Sequence, residues 1–313
     1  MFTSSSKKTF TFVSTIFLAV YLIGILFGEA IRSVFPSLDT DSPSLLEFSM
    51  FVIIAQVGIN FLPSLGITIY KKQSIKETYK LNGVNRQQLG LAVLLFIIVN
   101  GMLSFIHYVT QLISNVFGTS YQMSTYPIAD NWGDLMLLVI CIGLIPPICE
   151  DLFFRGFLLS NSSQHGAHVA VVFTAFVFAI FHDNVYRFGE IFVYALFVGY
   201  IVYYTNSILP GLIIHVLTNT SYVIGSFILS GDFVTTNNVM ANDTFEWSTF
   251  LMLAALACIS FYLCIKIIKK LKTITPASVR EFEENNKTSF SLKPFLNIPI
   301  LLIIVIFIVR ITL

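Results

Sequence analysis

The feature that most constrains this 313-residue chain is a series of apolar runs, each close to the ~20 residues an α-helix needs to cross a bilayer. They fall at about 9–30, 46–70, 89–113, 132–159, 169–182, 188–204, 208–229, 247–268 and 295–313. In hydrocarbon every backbone N–H and C=O must find its partner within the segment, so such runs fold as helices. The chain is 56% hydrophobic and 11% charged, with mean hydropathy +0.81, whereas a soluble domain carries about 25% charged residues. The expected fold class is all-α: a polytopic transmembrane helical bundle of about eight to nine spans, the last run either spanning or lying on the surface. The first run is too long for a signal peptide and has no small-residue cleavage site, so it reads as an anchor that is kept.

Basic residues set the orientation. Lys71, Lys72, Lys76, Lys80 and Arg86 share one loop, and Lys269, Lys270, Lys272, Arg280, Lys287 and Lys293 another. The segments 114–131 and 230–246 hold none. Strict alternation then puts the N-terminus and both lysine loops in the cytoplasm, and 114–131, 230–246 and the C-terminus outside. We divide the chain into N-terminal helices (1–131), a core (132–229) and C-terminal helices (230–313). The net charge of +1 names no partner, and no basic recognition element suggests nucleic acid. Cys141, Cys149, Cys258 and Cys264 all lie in apolar runs and read as reduced, buried fillers. Gly24 and Gly28 form a small-xxx-small pair that would let another helix approach.

Three polar clusters interrupt the core. The first is Glu150-Asp151-x-x-x-Arg155, preceded by Pro146-Pro147, which mark a break or wide bend. An ionisable residue at the centre of a membrane helix costs roughly 2.5–3.5 kcal/mol on insertion scales, so those that persist face protein and work there. Asp151 and Arg155, four apart, share a face and form a clasp in support of Glu150, which has no local partner. The second cluster is Phe178-x-x-x-His182, with Phe178 a packing residue, and the third is His215-x-x-x-Asn219. One carboxylate, two imidazoles and a carboxamide from three helices suit hydrolysis. The carboxylate takes a proton from water, and the imidazole and amide groups stabilise an oxyanion or hold a metal. These four groups are expected to enclose one wet cavity, open to the cytoplasm because the polar turn after Glu150 is placed inside. His107 reads as a hydrogen-bonded packing residue; His165 and His168 read as surface residues of that turn.

Together, Glu150-Asp151-Leu152-Phe153-Phe154-Arg155, Phe178-Ala179-Ile180-Phe181-His182 and His215-Val216-Leu217-Thr218-Asn219 resemble the signature of the CPBP (CAAX protease and bacteriocin-processing, or Abi) intramembrane proteases. That signature is E-E-x-x-x-R, F-x-x-x-H and H-x-x-x-[ND], and Asp151 stands where the family usually has a second Glu. Tyr79-Lys80-Leu81-Asn82-Gly83 resembles the amphipathic stretch before the family's core. The resemblance implies an intramembrane endopeptidase (a hydrolase) of a bacterial cell membrane. It would cut a membrane-associated peptide or protein, in CAAX-type or bacteriocin/leader-type processing, with a water activated by Glu150. His182 would assist, and His215 and Asn219 would form the oxyanion site. Whether zinc takes part stays open: Glu150, His182 and His215 are acceptable ligands, yet no HExxH motif is present. Two other classes compete. A proton-coupled transporter also uses intramembrane Glu and His, but no repeated halves with matching broken helices are visible. A non-catalytic immunity protein of the same fold would work by binding.

Overall fold

Apolar runs of this length become helices that cross a membrane, and seven helices among the described residues are long and apolar enough to do so. The computed structural model describes residues 4–39, 44–117, 127–228, 245–285 and 293–312. The spanning helices are α1 (Ser4–Val34), α2 (Leu45–Tyr70), α3 (Arg86–Val116), α4 (Trp132–His165), α6 (Val185–Thr205), α7 (Leu209–Ile228) and α8 (Trp247–Thr273). Two apolar helices are shorter, α5 (Ala167–Phe181) and, after the polar helix α9 (Ala277–Asn285), the terminal α10 (Ile298–Thr312). These are the fifth and ninth runs of the sequence. The fold is the polytopic helical bundle expected, and the described residues contain no strand. The chain is an integral, multi-pass membrane protein. The loop centres expected outside, 118–126 and 229–244, lie outside the described residues.

Local sequence sets the helix starts. Asn85 and Gln88 form a reciprocal capping box at α3, and Asn131 accepts from the N–H groups of Gly133 and Asp134 at α4. Asn184 caps α6 by accepting from Arg187 N–H. Asn206 ends α6 in the left-handed conformation that Asn tolerates.

Three wide π-helical turns interrupt the ladders, at Gln56–Phe61 in α2 and at Val139–Leu144 and Leu152–Leu158 in α4. Such turns collect at functional sites. The one at Val139–Leu144 is the bend expected before Pro146 and Pro147, which fall in the first turn of Ile145–Asp151, where a missing N–H costs little.

Lipid is as apolar as leucine, so close packing carries much of the helix association. Gly101 of α3 meets Ser260 and Leu256 of α8, and Gly211 of α7 meets Val202 of α6. An aromatic core of Phe10, Phe17, Phe153, Phe154, Phe157 and Phe173 joins α1, α4 and α5. Gly24 and Gly28 depart from the expectation: nothing lies within 4 Å of where their Cβ atoms would be, and both face a cavity instead of a helix.

The loop after α2 is fastened to the turn between α6 and α7. Asn82 Nδ2 donates to Asn206 O (2.8 Å), Ser207 Oγ donates to Asn82 O (2.5 Å), and Ile208 N–H donates to Lys80 O (3.0 Å). Lys80 Nζ donates to Asn206 Oδ1 (3.2 Å), and burial pushes its amine down to about 8. The Tyr79 ring lies on Gly156, where an added Cβ would sit 2.8 Å from Cδ1 and 3.2 Å from the Tyr79 Cα. Because a backbone atom is among those neighbours, Gly156→Ala is expected to cost about 1–3 kcal/mol. A melt in detergent measures this; an unchanged melting temperature would contradict the contact.

Candidate active site

Glu150 stands near the middle of α4, where the apolar spacing makes a helix and the π turns on either side widen it. Its carboxylate is buried and turned into protein. Gln56 Nε2 of α2 donates to Glu150 Oε1 (2.8 Å), and Asn60 Nδ2 donates to Gln56 Oε1 (2.7 Å). Glu150 Oε2 lies 3.8 Å from His215 Nε2 of α7.

Asp151 does more than clasp Arg155. Its Oδ1 is 3.0 Å from Arg155 Nη1, and the same oxygen accepts from His215 Nδ1 (3.1 Å). Asp151 is 0% and Arg155 2% exposed, so each charge depends on the other. A carboxylate can only accept here, so His215 carries its proton on Nδ1 and presents Nε2 to Glu150. Asp151, His215 and Glu150 therefore form one line across two helices. Phe178 is more than packing. The Arg155 guanidinium lies 3.8 Å over its ring, which also stands edge-on to His182 and His215.

His182 ends α5. Its Nδ1 donates to Phe178 O (2.8 Å), which fixes the second tautomer and leaves Nε2 as an acceptor. The next residue, Asp183, has positive φ (50°) and is held from two sides. Tyr21 OH of α1 donates to Oδ1 (2.9 Å), and Arg310 Nε of α10 donates to Oδ2 (2.5 Å). Asn219, one turn beyond His215, donates through Nδ2 to Ile142 O (3.2 Å) in the wide turn of α4. Its second amide hydrogen stays available.

Glu150, His182, His215 and Asn219 line one cavity of about 520 Å³. The cavity does not open toward the polar turn after Glu150. It extends toward Glu29, Asp183 and Arg187, at the opposite end of the bundle. The reason is packing: Phe153, Phe154 and Phe157 are fully buried between Glu150 and that turn. The turn is itself packed. His165 is 1% exposed, edge-on to Phe10, so its reading as a surface residue is overturned; His168 is exposed, with Nδ1 2.7 Å from Tyr200 OH. His107 is hydrogen-bonded between helices, as its reading had it: its Nδ1 pairs with Glu190 Oε1 of α6 (2.8 Å). All four cysteines are free, but Cys258 is exposed on α8 and so is no buried filler.

Among the described residues no group of three or more His, Cys, Asp or Glu side chains is arranged to hold a metal ion. In Glu150, His182 and His215, both Nδ1 atoms are engaged as donors and one glutamate oxygen accepts from Gln56. This leaves His182 Nε2, His215 Nε2 and Glu150 Oε2 as the atoms that would face a zinc ion.

Sequence reading missed Gln56, Asn60, Tyr21, Asp183 and Arg310. The signal for the first two was a pair of carboxamides four apart inside an apolar span. Gln56→Leu is expected to cost about 1.5–3 kcal/mol of stability, the range for a hydrogen bond to a charged group. The cost should shrink in a Glu150→Gln background, and a melt of the four proteins in the cycle tests it; equal costs would show that the two side chains are not coupled.

Residues 132–221 match the model of one protein family, described as type II CAAX prenyl endopeptidase Rce1-like. No curated protein and no solved structure matches the chain. At the level of the family, the match supports a CAAX-type intramembrane endopeptidase acting on a membrane-associated protein.

Proposed function

We propose, from the premise that residues 132–221 carry the core of a CAAX-type endopeptidase, that the chain hydrolyses a peptide bond with a water activated by Glu150. The observation that carries this reading is the line Asp151–His215–Glu150 within a cavity that also holds His182 and Asn219. A water ~2.8 Å from Glu150 Oε2 and from His215 Nε2 closes a triangle on their 3.8 Å separation. Glu150 accepts a proton of this water as its oxygen bonds to the carbonyl carbon. The carbonyl oxygen becomes an oxyanion, stabilised by the free amide hydrogen of Asn219, while His215 Nε2, its proton held on Nδ1 by Asp151, accepts from the same water. On collapse the C–N bond breaks, and the proton on Glu150 passes to the departing amine. His182 Nε2 accepts a hydrogen bond from the water or the amine and keeps it aligned.

Each step uses side chains of this cavity, and none passes through a metal. The test is hydrolysis by the purified chain in lipid, with a pool of membrane-anchored peptides, prenylated and not, and products sequenced by mass spectrometry. Cleavage is expected, and it is expected to persist in the presence of a strong zinc chelator. Loss of all cleavage in chelator, restored by zinc, would overturn the metal-free mechanism. No cleavage of any peptide would overturn the proposed function.

A further inference from the structure

The access route to Glu150 is a property of the cavity that the chemistry above leaves unused. The two ends of the bundle differ. One carries the fastened loop of Lys80 and Asn82, with Lys71, Lys72, Lys76 and Arg86, and the basic end of α8 with Lys269, Lys270 and Lys272. The other is where α1 and α7 finish and where α2 and α6 begin. The cavity lining beyond Glu150 comes from this second end: Gly24, Gly28, Val52, Asp183, Arg187 and Tyr222. Nothing fills the space beside Gly24 and Gly28. On the lysine side, fully buried Phe153, Phe154 and Phe157 close the floor.

Helix length explains the asymmetry. Fifteen residues make α5 about 22 Å long, short of the ~30 Å hydrocarbon core. Starting at the lysine end, it stops within the membrane and leaves His182 and the Asp183 turn sunk below the opposite surface. The cavity lining gives water and substrate a way to them from that surface. Lysine-rich short loops mark the cytoplasmic side, so the mouth faces outward.

The mouth also has a charge preference. Asp183 is engaged by Tyr21 and Arg310, and Arg32 lies 3.7 Å from Glu29. Arg187 lines the cavity beside them, and no carboxylate of the described residues pairs with it. We infer that the cavity admits its substrate from the exterior face and that Arg187 holds a carboxylate of it. The substrate class is an extended segment of an exported, membrane-anchored polypeptide, with an Asp, a Glu or a free C-terminus close to the cut bond. The fate of the segment rests on the proteolytic reading, whereas its route and charge rest on the cavity and the lysine-rich loops.

Two arms test this with the full-length chain. In the first, Arg187→Cys, Val185→Cys and Lys76→Cys proteins are treated with a membrane-impermeant maleimide in intact cells and in inverted vesicles, with the unsubstituted chain as blank. Arg187→Cys and Val185→Cys are expected to react in intact cells and Lys76→Cys only in inverted vesicles. The reverse pattern, or no reaction of Arg187→Cys from either side while Val185→Cys reacts, would overturn the route. In the second arm, purified protein in lipid is given a random peptide pool and the cut sites are sequenced. Wild type is expected to favour carboxylate-bearing sites by about tenfold, the scale of one charge-assisted contact. Arg187→Gln should lose that preference through KM, and Arg187→Glu should favour basic sites. Cleavage without a carboxylate preference would overturn the role of Arg187. Correct labelling with no cleavage at all would overturn the proteolytic reading and leave the route standing.

Discussion

Glu150→Gln is expected to lower peptide-bond hydrolysis by about 10²–10⁴-fold, the usual contribution of a general base, while the protein stays folded in the membrane. The substitution keeps the volume and keeps an oxygen to accept from Gln56 Nε2 at the position of Oε1. It removes the group proposed to take the proton of water and return it to the amine. Because the fold loses little, a melting temperature close to wild type should accompany the loss of turnover. Turnover within tenfold of wild type would mean that another residue activates the water, and the mechanism would have to be abandoned.

The second large effect is on stability. Asp151→Ala is expected to destabilise the protein by about 3–5 kcal/mol, because removing one partner of a buried pair strands the other charge. Arg155 is 2% exposed and has the Phe178 ring on one face, which attracts the cation without neutralising it. The same change frees His215 Nδ1 and unfixes its tautomer. Asp151→Asn separates the two roles. It can still accept from His215 but brings no charge to Arg155, so stability should fall by more than activity does. Asp151→Glu keeps the charge and should recover part of both. Thermal melts in detergent beside initial rates decide this; an Asp151→Ala protein that melts with wild type would show that Arg155 finds its counter-charge elsewhere.

Helical periodicity carries a reader of the sequence a long way here. Spacings of four put Asp151 beside Arg155 and His215 in line with Asn219, and long apolar runs announce the spans. Periodicity says nothing of how one helix docks on another. Asp151 therefore read as a partner of Arg155 alone, when its oxygen also holds His215 from α7. Gln56 and Asn60 sit in a helix with none of the three motifs, and only docking of α2 on α4 brings them to Glu150. The direction of the cavity was hidden for a similar reason. A polar turn of Ser, Asn and His looks wet, but its His165 is buried against Phe10, and three phenylalanines seal the way beneath it. The wide turns at Val139–Leu144 and Leu152–Leu158 add a residue to a turn and shift every face beyond them, which a fixed period of 3.6 cannot register.

The most direct measurement is an electron cryo-microscopy structure of the wild-type chain in lipid nanodiscs, at a resolution that shows ordered water. Glu150 Oε2 is expected close to the 3.8 Å from His215 Nε2 seen here, with one water in hydrogen-bond reach of both and His182 and Asn219 on the same cavity. A Glu150 carboxylate directed at lipid, or walled off from both imidazoles by packed side chains, would contradict the hydrolytic site.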